Sequence, residues 1–104
     1  MKQFEIYLVN LDPTVGSEIK KSRPAVIVSP DAMNKILNTV IIAPLTSTQK
    51  GYPSRVPSNL ESKKGEIVLD QLRAIDKIRL VKKLGKADSV TAQNIKLVLQ
   101  TMFS

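Results

Sequence analysis

Arg23 stands directly before Pro24, at the head of the apolar run Ala25 to Val28. A proline holds the residue before it in extended geometry, so this guanidinium is expected at the mouth of a strand. Beside it runs a loop with Gly16, Ser17 and Glu18, followed by Lys20 and Lys21. A positioned guanidinium next to a basic loop suits a phosphate, which it can grip with two parallel hydrogen bonds. It could equally be a surface arginine paired with Glu18 or Asp12. Two further runs put polar groups where apolar segments end: Thr46 in Pro44-Leu45-Thr46-Ser47, and Asp70-Gln71 after Gly65 to Leu69. Strand ends gather at one rim of a small barrel, so Arg23, Thr46 and Asp70-Gln71 can share a site.

The chain contains neither histidine nor cysteine. That excludes Ser-His-Asp and Cys-His nucleophilic catalysis, disulfides and a His-based metal site. The nine carboxylates have no spacing that suggests a magnesium or calcium cage, and GSEIKKSRP is not a Walker phosphate loop. No cofactor or metal is expected. The remaining groups, Arg, Lys, Thr, Ser, Gln and Asp, fit one reaction well. RNA carries its own nucleophile, the 2′-hydroxyl, next to the scissile phosphate. The protein need only align it, help move its proton, protonate the leaving 5′-oxygen and stabilise the phosphorane charge. General acid–base assistance is worth roughly 10²- to 10⁴-fold.

Positioning these groups requires short strands. Glu5 to Asn10 alternates as a strand, and the β-branched runs Pro24 to Ser29 and Thr39 to Leu45 read as strands buried on both faces. Pro44 suggests a bulge or an edge near the end of its strand. Asp31 to Asn38 can hold a helical turn. Gln49 to Asn59, with Gly51, Pro53 and Pro57, reads as a loop leading into a short or bent strand around Arg55-Val56. Gly65 to Leu69, Arg73 to Asp76 and Leu80 to Lys86 complete the strand set. The period then changes: Ala92, Ile95, Leu99 and Met102, with Val98 and Phe103 alongside, form one apolar helix face, capped by Asp88 or Ser89. The fold class expected is mainly β with a C-terminal helix, a small antiparallel β-barrel with the helix packed on it.

Length and composition bound the partners. A chain of 104 residues reads as a single domain, residues 1–104. A formal charge of +7 favours anionic partners, nucleic acid first. Lys82 and Lys83 read as a solvated strand edge that discourages pairing. No window approaches 18 uninterrupted apolar residues, no apolar signal segment follows Met1, and the helix carries a single basic residue, Lys96. A cytoplasmic protein without membrane partners is expected.

Three segments taken together, LVNLDPTVGSEIKKSRPAVIVSP, APLTS and GEIVLDQLRAIDKIRLVKKLG, resemble the MazF/PemK (Kid) toxin endoribonucleases of bacterial toxin–antitoxin systems over nearly the whole chain. The resemblance implies an SH3-like barrel and a homodimer. It implies metal-independent cleavage of single-stranded RNA at a short sequence, leaving a 2′,3′-cyclic phosphate and a 5′-hydroxyl, and a cognate antitoxin. Arg23 matches the family's catalytic arginine, for proton transfer and charge stabilisation. Thr46 matches the threonine that hydrogen-bonds the phosphate or assists proton transfer. Gln71 matches a substrate-contacting glutamine, Asp70 an acidic position proposed as catalytic in some members, and Ser17 and Glu18 a loop over the site. Ser47, Lys50, Arg55 and Arg73 join these as expected RNA contacts. Some relatives carry histidine where this chain has Ser17, and arginine where it has Val68, so an Asp-Arg-His mechanism does not transfer and Arg23 with Thr46 fits better. Two other readings stay open: a gyrase poison of the CcdB type, disfavoured because that family ends in Trp-Gly-Ile and this chain lacks tryptophan, and a non-catalytic RNA-binding barrel, for which four aromatic residues are a thin stacking platform.

Overall fold

In the computed structural model, which describes residues 1–12, 16–18 and 21–104, the chain builds seven strands, two helices and three short 3-10 turns among those residues. The strands are β1 (Glu5–Asn10), β2 (Ser22–Ile27), β3 (Thr39–Thr46), β4 (Arg55–Ser58), β5 (Gly65–Val68), β6 (Arg73–Asp76) and β7 (Leu80–Lys86). The helices are α1 (Asp31–Ile36) and α2 (Ser89–Met102). Lys20 of the basic pair lies outside the described residues.

The strands pair antiparallel in the order β4-β5-β3-β2-β1-β7, with β6 also on β3. Alternate residues of a strand point to opposite faces, and the central strands bury both. Val26, Val28, Ala43 and Leu45 enter one core cluster with Ile6, Val56, Ile67 and Leu69. Ala25, Ile27, Val40 and Ile42 enter the other with Val9, Leu11 and Ile75. The expectation of two-faced burial for β2 and β3 therefore holds.

The fold is mainly β, barrel-like, with a C-terminal helix. The barrel is not closed by hydrogen bonds. Its edge strands β4 and β7 face each other across a cavity of about 490 Å³ lined by Pro57 and Ser58 on one side and Gly85 and Lys86 on the other. Helix α2 is capped by Asp88, whose side chain accepts from Thr91 N–H at 2.8 Å, and drives Ile95 fully into the first core cluster. Phe103 departs from the expected apolar face: the helix stops at Met102, and Phe103, at the C-cap, is exposed.

Pro44 lies inside β3, not at an edge. β3 pairs with β6 through Ile42 and with β5 from Leu45 onward. Pro44 stands in the gap between the two partners, where one missing N–H interrupts no ladder. Gly65 permits the β3–β5 approach at the end of β3: a Cβ there would lie 2.4 Å from the Thr46 carbonyl oxygen. Backbone cannot yield as a flexible side chain does, so the glycine sets how closely β5 approaches Thr46. Gly65→Ala is expected to destabilise by about 1–3 kcal/mol through overpacking, read as a lowered urea midpoint; an unchanged midpoint would contradict this account of the β3–β5 approach.

Candidate active site

Arg23 sits inside its strand, which starts two residues ahead of the expected Pro24. β2 begins at Ser22, so Arg23 lies within it, opposite Val9 of β1. On the other side β2 meets β3 with Ala25 opposite Pro44, Val26 opposite Ala43 and Ile27 opposite Ile42. The same register carried two residues onward sets Arg23 level with Thr46. Thr46 is in turn the pairing partner of Glu66 in β5. Directly opposed residues share a sheet face, so Arg23, Thr46 and Glu66 form a row across three strands. Arg23 and Thr46 also line one cavity of about 220 Å³, together with Ser47, Lys63 and Lys64. Thr46 Oγ1 accepts from Thr48 N–H at 3.2 Å, which fixes the hydroxyl as the strand turns into its loop.

A second cavity, about 240 Å³, lies past Pro44 and is lined by Glu18, Asp70, Gln71 and Arg73. Asp70 and Gln71 belong to a 3-10 turn that begins at Leu69, where the sequence pattern extends the strand. Ser17 is exposed in the loop before β2. The base of that loop is tied down: Leu11 N–H donates to the Lys21 carbonyl at 3.2 Å, and Lys21 N–H to Asp12 Oδ1 at 3.0 Å. Arg73 takes part in this tie, donating from Nη1 to the Leu11 carbonyl at 2.9 Å. Its guanidinium thus braces the loop as well as lining the cavity.

Arg55 and Asp70, both expected RNA contacts, are paired with each other. Arg55 Nε lies 3.1 Å from Asp70 Oδ1, and its Nη1 lies 3.6 Å from Glu66 Oε1. Glu66 is buried and accepts two backbone N–H bonds, from Lys50 at 3.0 Å and Gly51 at 2.8 Å. These N–H groups, and then the Arg55 charge, hold the Glu66 carboxyl below the ordinary carboxylate range. Partial burial acts to raise Asp70, and the bonds from Arg55 and Ser54 outweigh it, so its pKa is lowered too. The bond to Asp70 is the main cause that raises Arg55. Asp70 is therefore ionised and engaged at neutral pH, a support for the loop and a poor proton donor.

Sequence reading missed Glu66, Lys63 and Lys64. A lone acid inside the apolar strand GEIV was the available signal for Glu66, and the Lys-Lys-Gly run before β5 for the lysines. Among the described residues no cluster of three or more carboxylates could hold a metal ion, and no helix is long and apolar enough to cross a membrane.

Residues 2–103 match the family model described as PemK-like, MazF-like toxin of type II toxin–antitoxin systems. The chain belongs to this family. It is 36% identical over 92 residues to the endoribonuclease MazF of Staphylococcus saprophyticus, covering 81% of this chain and 75% of that one. The crystal structure of MazF from Deinococcus radiodurans superposes with a TM-score of 0.85 at 27% identity, over 99% of this chain and 96% of that one. A mycobacterial endoribonuclease solved with its cognate antitoxin shares the fold, with a TM-score of 0.83 at 23% identity, 99% of this chain and 94% of that one.

Glu66 and Asp70, the two carboxylates paired with Arg55, have folded-state pKa values below their unfolded ones, so they add stability above the unfolded values, about 4. That contribution is lost as pH falls through the folded values. Melting temperature is expected to drop as pH falls below about 4, with a shallower drop in Asp70→Asn. Parallel wild-type and mutant profiles would show that the Arg55–Asp70 pair is not linked to folding.

Proposed function

We propose that this protein is the toxin of a toxin–antitoxin pair, a single-domain endoribonuclease that cleaves single-stranded mRNA without a metal. The observation that carries the reading is the meeting of Arg23 and Thr46, distant in sequence, at one basic cavity of a chain belonging to the toxin family. The scissile phosphate sits between them. The Arg23 guanidinium binds its non-bridging oxygens and takes up charge as the phosphorane forms. A hydroxyl both donates and accepts; Thr46, whose oxygen already accepts from Thr48, turns its O–H to the phosphate. The RNA 2′-hydroxyl attacks phosphorus in line while its proton passes to water, and the P–O5′ bond breaks as the 5′-oxygen takes a proton from water beside Arg23, giving a 2′,3′-cyclic phosphate and a 5′-hydroxyl. Lys63 and Lys64 screen the approaching backbone. Glu18, Gln71 and Arg73 line the neighbouring cavity, which holds the flanking nucleotide. Ser17, Ser47 and Lys50 extend the contact surface. The partners are a cognate antitoxin, which competes for the same basic surface, and a second copy of the chain as a homodimer; the location is the bacterial cytoplasm.

Purified protein free of antitoxin is expected to cut RNA in excess EDTA and to leave 5′-hydroxyl ends. A substrate with 2′-deoxyribose at the cleaved position should resist. Absence of cleavage, or products with 3′-hydroxyl ends, would contradict the mechanism. Arg23→Ala is expected to lower the cleavage rate at least about 10²-fold, the scale of losing one preorganised charge-stabilising group, with an unchanged melting temperature. Wild-type cutting by the folded mutant would remove Arg23 from the chemistry.

A further inference from the structure

The loop that leaves β3 after Thr46 carries an aromatic side chain that the catalytic reading does not use. Tyr52 is 47% exposed. The Arg55 guanidinium lies 4.9 Å from its ring centroid, and Lys50 Nζ lies 5.9 Å from it. Both distances fall within cation–π range. Arg55 cannot swing away: its side chain is only 11% exposed and is gripped by Asp70 and Glu66. The backbone on either side of Tyr52 is fixed as well. Lys50 and Gly51 donate to Glu66, and Arg55 N–H donates to the Tyr52 carbonyl at 3.0 Å. Glu66, which anchors this loop, is the pairing partner of Thr46.

A partly buried ion-pair network thus fixes the loop around an aromatic ring that remains open to solvent. Shielding a hydrophobic core does not explain this, because the ring is on neither core cluster. A rigid, half-open ring flanked by two cations, one loop away from the phosphate site, has the properties of a nucleobase platform. The ring stacks on an unpaired base and the cations hold the adjoining phosphates. We infer that Tyr52 stacks on a nucleobase of the bound single-stranded RNA beside the scissile bond and helps set which sequence is cut. Arg55, Asp70 and Glu66 act as its positioning residues. The inference rests on the endoribonuclease reading for its substrate, while its test has an arm independent of cleavage.

Tyr52→Leu and Tyr52→Phe are compared with wild type in two assays. The first measures binding of a non-cleavable 2′-O-methyl RNA of mixed sequence by fluorescence anisotropy. The second maps cut sites and kinetics on a defined transcript. Removing one stacked base contact is expected to weaken binding by about 5- to 100-fold. Tyr52→Leu should show that loss in Kd and in KM more than in kcat, with a redistributed set of cut sites. Tyr52→Phe should recover most of the affinity and the wild-type sites, because the aromatic face and not the hydroxyl carries the contact. A melting temperature for Tyr52→Leu close to wild type separates the effect from unfolding. Equal binding and an identical cut-site map for Tyr52→Leu would overturn the inference while leaving the nuclease reading intact. Wild-type protein that binds the RNA but does not cut the transcript would overturn the nuclease reading, and the binding arm alone would then decide the platform. Wild-type protein that binds no RNA would overturn both.

Discussion

The antiparallel register between β2 and β3 is the constraint on which the site depends. Arg23 and Thr46 are level only because Ala25 opposes Pro44 and Ile27 opposes Ile42. A slip of one residue would send either side chain to the other face of the sheet. The slip is resisted from both sides at once. Ala25 and Ile27 are buried in one core cluster while Val26 and Val28 are buried in the other, so any shift exposes or overpacks two cores together. Pro44 and Gly65 fit the same design. The proline occupies the break between β6 and β5, and the glycine lets β5 close on the Thr46 carbonyl.

On this scaffold a second, polar layer fixes the loop after Thr46. A buried carboxylate is unfavourable unless its oxygens are satisfied. Glu66 meets that condition with two backbone N–H donors and a neighbouring guanidinium. The same bonds that keep it ionised also fold residues 50 and 51 back over β5. Arg55 then links Glu66 to Asp70, across to the 3-10 turn that carries Gln71. The loop bearing Tyr52 and the turn bearing Gln71 therefore share one electrostatic anchor. Exposed lysines around the cavity remain to meet an anionic substrate.

Much of this was legible in the sequence, for reasons that can be named. The β-branched runs of β2 and β3 announced strands buried on both faces, and the three-and-four spacing of Ala92, Ile95, Leu99 and Met102 announced α2. Pro24 placed Arg23 in extended backbone. What stayed hidden depends on contacts between residues far apart in the chain. The pairing of Arg55 with Asp70 crosses from β4 to the turn that follows β5, so no local pattern revealed it. Arg73 bonds to a carbonyl at the far end of the molecule's sequence, at Leu11. Glu66 went unnoticed, because its burial is produced by a loop that only folds over it in three dimensions. The open seam between β4 and β7 is likewise a property of closure, which no local pattern encodes.

The central claim is that Arg23 and Thr46 act as one unit on a single phosphate. A double-mutant cycle on single-turnover cleavage of a defined RNA tests it most directly, using Arg23→Ala, Thr46→Ala and the combined variant. Residues that act together are strongly non-additive. The account predicts that the double mutant is no more than about threefold slower than Arg23→Ala alone, the coupling expected of such a unit. Losses that multiply, with each mutation imposing its full effect in the presence of the other, would show that the two side chains serve separate sites.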